Sequence, residues 1–113
     1  MHEMSIAEGI VDIALDTLTA NDGHVVHSIQ LELGLMSGVE RDALLFCFDS
    51  VTKGTAAEGA KLEIKTIPIK VQCLDCDAVF MSDTYRFACD KCGSRLVNVL
   101  EGREMRVVSI DMD

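Results

Sequence analysis

Apolar side chains in this chain fall into periodic blocks separated by turn residues. Over residues 4–20, Ile6, Ile10, Ile13, Ala14 and Leu18 recur at helical spacing, with Thr17 on the same side. Ser5 followed three residues later by Glu8 is a capping box, and Asn21-Asp22-Gly23 is a stop. A helix with a core-facing stripe is predicted there. Over residues 24–33, His27, Ile29, Leu31 and Leu33 alternate with Ser28, Gln30 and Glu32, the pattern of a strand with one buried face, and Gly34 ends it. A second helix is predicted over 38–53. Ser37 and Glu40 form another capping box, Leu44, Cys47, Phe48 and Val51 share one stripe, and Lys53-Gly54 closes it.

The next block, 61–72, reads as one long strand with a slipped phase. Leu62 and Ile64 share one phase and Ile67, Ile69 and Val71 the other. A bulge or a change of sheet near Pro68 accounts for the slip, because proline cannot donate to a ladder. Residues 96–100 read as a short strand and 101–103 as a turn. Val108, Ile110 and Met112 alternate in a last strand that returns to the main sheet.

The chain has 113 residues, enough for one domain, or one domain with a small satellite. Nearly half are hydrophobic, with no Trp, one Tyr and four Phe, so the core is built from Ile, Leu, Val and Met. No apolar run is long enough to cross a membrane. The formal charge of −9 argues against a nucleic-acid partner, whose affinity comes mainly from Lys and Arg. The absence of a signal peptide leads to the expectation of a soluble cytoplasmic protein with reduced thiols.

Cysteine spacing changes the picture most. Cys73-Leu74-Asp75-Cys76 is separated by twelve residues from Cys89-Asp90-Lys91-Cys92. Two such knuckles place four thiolates around one tetrahedral ion, the arrangement of structural zinc. Gly93 follows where the backbone must bend under the metal. Two disulfides are the rival pairing and suit a secreted chain rather than this one. A rubredoxin-like iron site is the redox rival. Val79, Phe80, Tyr85 and Phe87 lie between the knuckles and are expected to cover the ribbon. Cys47, between Phe46 and Phe48, reads as a small buried hydrophobe. The fold expected is therefore α+β: two helices packed on a three-stranded mixed sheet, with an inserted four-cysteine zinc-ribbon module. The expected domains are 1–69 plus 103–113, and 70–102.

The other chemistry lies at the opposite end. Met1-His2-Glu3 offers the Met1 amine, the His2 amide nitrogen and ring Nδ1, and the Glu3 amide nitrogen as donors in one plane. Four nitrogens in a square suit Ni(II) or Cu(II). Binding weakens as the amine and imidazole protonate. On these residues alone, a frayed terminus is the simpler reading. His24 and His27 have no Cys or His companions beyond each other and do not read as metal ligands. Lys70, Arg86, Lys91, Arg95, Arg103 and Arg106 cluster in and around the ribbon, so a zinc-ribbon module that binds an acidic protein or a nucleic acid is the competing function. No Ser/His/Asp grouping, phosphate loop or three-ligand zinc site points to an enzyme.

Met1-His2-Glu3-Met4-Ser5, the first helix, Gly38-Val39-Glu40 through Phe46-Cys47-Phe48-Asp49, Glu58-Gly59-Ala60, the double knuckle, and Glu104-Met105-Arg106-Val107-Val108-Ser109-Ile110-Asp111 together resemble the hydrogenase nickel-insertion accessory family, HypA/HybF. The resemblance covers essentially the whole chain. It implies a nickel metallochaperone that binds transferable Ni(II) through His2 and the neighbouring backbone, with Met1 and Glu3, and structural Zn(II) through Cys73, Cys76, Cys89 and Cys92. It marks Glu40, at the start of the second helix, as a further nickel candidate. It implies a nickel-handling GTPase partner, HypB, and delivery to the large subunit of [NiFe]-hydrogenase, with urease maturation proteins as further partners. Neither nucleic acid nor membrane is among them.

Overall fold

The computed structural model describes residues 2–82 and 87–113. The elements run α1 (Glu3–Ala20), β1 (Val26–Gly34), α2 (Arg41–Thr52), β2 (Lys61–Ile67), β3 (Ile69–Cys73), β4 (Val79–Ser82), β5 (Val97–Glu101) and β6 (Met105–Met112). They form an α+β fold with two three-stranded sheets, ordered β2-β1-β6 and β4-β3-β5. The chain divides into two compact units. One comprises Met1–Leu31, Val39–Lys65 and Arg106–Asp113; the other comprises Glu32–Gly38 and Thr66–Met105.

The first unit holds both helices. In α1 the buried positions are Glu3, Ala7, Ile10, Val11, Ala14 and Leu18. At 100° per residue these centre roughly 100° away from Ile13. Ile13 is accordingly half-exposed rather than on the core stripe. The expected Ser5–Glu8 box does not cap the helix, which starts earlier, with His2 as its cap residue and no side-chain cap bond. In α2, Leu44 and Phe48 are fully buried, while Cys47 and Val51 pack on the core partly buried. The cap of α2 is Glu40 itself, whose carboxylate accepts from the Ala43 amide at 2.5 Å. The expected Ser37 cap is displaced because the helix begins at Arg41, four residues further on. Both helices close on Val26, Ile29, Leu31 and Leu62 from the sheet.

Hydrogen bonds fix the strand directions around β1. Gln30 donates to Glu63 and the Leu35 amide to the Ile67 carbonyl, so β2 runs parallel to β1. Asp113 pairs with Val25, and the Gly34 amide donates to Glu104, so β6 runs antiparallel. A helical crossover, α2, makes the parallel pairing accessible. Along β6 the core-packed residues are Val107, Ile110 and Met112, and Val108 is half-exposed. The simple alternation expected from Val108 therefore slips between 107 and 110.

The second unit is built on β3. The block read as one strand over 61–72 is two strands in different sheets, divided at Pro68. Val71 lies opposite Phe80 of β4 and Val99 of β5, and Cys73 opposite Val97. Ile69, Val71 and Cys73 are buried on one face of β3. Phe80 and Phe87 are half-buried, Val79 and Met81 exposed; Tyr85 and Arg86 lie outside the described residues. Besides the cysteines, the buried hydrophobic side chains of this unit are only Leu33, Ile69 and Val71 among the described residues. So small a core needs another source of order.

Candidate metal centre

Each Cys-x-x-Cys pair is folded by the same backbone bonds. In the first, the Cys73 amide donates to Ala78 and the Asp77 amide returns to Cys73; in the second, the Cys89 amide donates to Ser94 and the Gly93 amide returns to Cys89. The residue after each pair, Asp77 (φ 61°) or Gly93 (φ 73°), takes the left-handed conformation that this reversal requires. Gly93 is placed as its sequence position suggested; Asp77 carried no comparable signal beyond tolerance of that region by Asp.

The knuckles bring the four sulfurs of Cys73, Cys76, Cys89 and Cys92 within 4.8 Å of one another. Contacts cross between knuckles: Cys73 Sγ lies 3.5 Å from Cys92 Sγ and Cys76 Sγ 3.5 Å from Cys89 Sγ. A tetrahedron with zinc–sulfur bonds of about 2.3 Å has sulfur–sulfur edges of about 3.8 Å. The donor set and its spacing fit zinc. All five cysteines are free thiols, and 3.5 Å is well beyond the roughly 2.05 Å of a disulfide. Each knuckle contributes one buried cysteine (Cys73, Cys89) and one exposed (Cys76, Cys92).

Electrostatics divides the thiols. The Cys92 amide, with that of Lys91, pulls the Cys89 thiol down to about 6. Cys92 is pushed up to about 12: the Ser94 amide lowers it, but the neighbouring Cys73 thiol and burial outweigh that. Cys76 is raised in the same way, the Ala78 amide opposing the Cys89 thiol and burial. Four thiolates cannot share so small a space without a cation, and a bound divalent ion removes that obstacle.

At the other end, Met1 lies outside the described residues. His2 is exposed, and its carbonyl accepts from the Ile6 amide as the helix begins. Glu3 is 8% exposed, and its Oε2 accepts from the Glu40 amide at 3.1 Å. That bond holds its carboxyl below the usual carboxylate range. The start of α1 and the start of α2 therefore meet through Glu3. The meeting carried no sequence signal, because it joins positions 37 residues apart. His27 belongs to neither candidate site: its Nε2 pairs with Asp113 at 2.9 Å, which raises its pKa.

Comparison with known proteins finds chains similar over the whole length. The family model described as hydrogenase/urease nickel incorporation, metallochaperone, hypA matches residues 1–112. The hydrogenase maturation factor HypA of Azotobacter vinelandii is 42% identical over 113 residues, covering all of both chains. That of Geobacter sulfurreducens is 39% identical with the same coverage. Among solved structures, the nickel metallochaperone HypA from Helicobacter pylori aligns with a TM-score of 0.67 at 24% identity, over 99% of this chain and 97% of that one. A second HypA solution structure aligns with a TM-score of 0.72, also at 24% identity, over 99% and 96%. At that identity the structural likeness speaks for the fold.

Proposed function

The chain belongs to the HypA family of hydrogenase/urease nickel-incorporation metallochaperones, and from that premise we propose that it carries Ni(II) at its amino terminus for insertion into [NiFe]-hydrogenase. Members of the family are maturation factors, not enzymes. Nickel is cargo in this reading and zinc is resident. Zinc is held by Cys73, Cys76, Cys89 and Cys92 in the ribbon domain, 70–102; nickel belongs to the domain formed by 1–69 and 103–113.

The nickel donors are the Met1 amine, the His2 amide nitrogen and Nδ1, and the Glu3 amide nitrogen, a square plane suited to Ni(II). The observation that carries this placement is the Glu3–Glu40 bond. It anchors the first helical turn while leaving the His2 side chain in solvent. The first amides of a helix have no intrahelical acceptor, so using them for metal costs α1 none of its own hydrogen bonds. The Glu3 carboxylate is occupied by the Glu40 amide and acts by positioning the terminus. Glu40 already caps α2 through Oε2, which makes it a second candidate rather than a core donor.

A transferable metal needs an accessible, labile site, and a terminal chelate supplies one; a closed four-thiolate site does the opposite and couples the metal to folding. Delivery proceeds with the GTPase HypB to the large subunit of the hydrogenase, with urease maturation as a further destination, in the cytoplasm. Titration with Ni(II) tests the site. His2→Ala, or a few residues appended before Met1, weakens binding more than about tenfold, or about 1.4 kcal/mol. Unchanged affinity and stoichiometry in both variants rules out the terminal site. Elemental analysis of the purified chain is expected to return one zinc; a red protein containing iron contradicts the zinc assignment.

A further inference from the structure

The two knuckles correspond residue by residue: Cys73 to Cys89, Asp75 to Lys91, Cys76 to Cys92, Asp77 to Gly93 and Ala78 to Ser94. The backbone bonds inside each knuckle repeat. One side-chain bond does not. The Ser94 hydroxyl donates to Asp75 Oδ2, joining the second knuckle to the first. Its image would join Ala78 to Lys91, and alanine has no group to donate. Ser94 is the hub of its side of the site. Its carbonyl accepts from the Cys89 amide at 2.8 Å, its Oγ accepts from the Leu96 amide at 3.1 Å, and its own amide faces the Cys92 sulfur. Beside it the Leu74 amide donates to the Leu96 carbonyl at 2.8 Å. The knuckles are thus tied together on the Asp75–Ser94 side, and the Ala78–Lys91 side lacks the counterpart of that bond.

We infer that Asp75 and Ser94 are positioning residues that clasp the two halves of the four-cysteine site and set how slowly its metal leaves. This rests on the proposal that the site holds zinc. Ligands around a metal separate one at a time on release. An exposed cysteine, Cys76 or Cys92, leaves most readily, because water can replace it. Once a sulfur detaches, the knuckles must part for the ion to escape, and a bond between them that does not involve the metal opposes that parting. Groups outside the ligand set commonly tune metal affinity ten- to a hundred-fold, roughly.

The test uses the zinc-loaded full chain challenged with excess chromogenic chelator, reading the first-order release rate. Ser94→Ala and Asp75→Ala each release zinc about tenfold faster. The double variant is no faster than the singles, since either removes the same bond. Ser94→Thr, which keeps the hydroxyl, restores the slow rate. Cobalt substitution keeps the tetrahedral thiolate spectrum in every variant, which separates a loosened clasp from a lost ligand. Ala78→Ser combined with Lys91→Asp supplies the missing image bond and slows release below the parent rate. Parent-like release in both Ser94→Ala and Asp75→Ala overturns the inference. So does equal acceleration in Asp90→Ala, which lies on a knuckle outside the clasp. A parent chain that contains no zinc instead overturns the metal assignment on which the inference rests.

Discussion

Glu3 and Glu40 have the same side chain and opposite tasks. Glu40 caps α2 with its carboxylate, while its amide is taken by Glu3. Glu40→Ala is expected to cost about 1 kcal/mol of stability, the usual size of a lost cap, measurable by urea unfolding. The Glu3 carboxyl is held below its ordinary range, so its contribution is present above that range and is lost as pH falls through the depressed value. In acid unfolding series, Glu3→Gln should differ from the parent at neutral pH and converge on it at low pH. His27 works the other way. Its pairing with Asp113 raises the folded pKa, so the stabilisation is full below about 6.5 and fades as pH rises through the raised value. His27→Gln should lower the melting temperature in mildly acidic buffer and have little effect in alkaline buffer. Neither the Glu3–Glu40 nor the His27–Asp113 pairing was legible from spacing, since each joins residues distant in sequence. The grouping of the four cysteines was legible because knuckle geometry is local.

Elements were legible where one period ran unbroken. β1 buries Ile29, Leu31 and Leu33 as its pattern named, but at its start His27, expected on the same face, is exposed and Val26 is buried instead. α1 is present where expected, but with its face rotated, because Ile6, Ile13 and Thr17 drew the stripe away from Ala7 and Val11. Alanine is a weak hydrophobic signal and an excellent packing residue where helices approach closely. The phase slip at Pro68 marked a real event, but choosing between bulge and change of sheet required knowing which strands pair. Gly34 at the end of β1 gives a test at this scale. A Cβ there would lie 2.1 Å from the Gly102 carbonyl oxygen, a backbone atom that cannot simply swing away. Gly34→Ala should therefore destabilise the chain by more than about 1 kcal/mol in denaturant unfolding.

At the scale of the whole molecule, stability has two sources. The first unit has a continuous apolar core including Phe48, Leu44, Ile29 and Leu31. Phe48→Ala should cost about 3–5 kcal/mol there. Among the described residues the second unit buries few apolar side chains besides Leu33, Ile69, Val71 and two of its cysteines, so the zinc proposed for its four cysteines would supply much of its order. Stripping zinc should erase the amide protection of β3, β4 and β5 while the helical circular dichroism persists; simultaneous loss of both would contradict separate sources of order. Among the described residues no helix is long and apolar enough to cross a membrane. By itself the sequence determined the element types other than β4, the four-cysteine grouping and, through its motifs together, the family, since all of these depend on periodicity, local spacing or residue identity. Only the tertiary structure decided which face of α1 is buried, that two strands flank Pro68, that Glu3 ties the start of α1 to the start of α2, and that the Ser94 hydroxyl reaches Asp75 from one knuckle to the other. Each of these is a contact between distant positions, set by how the packed elements align rather than by any pattern within one of them.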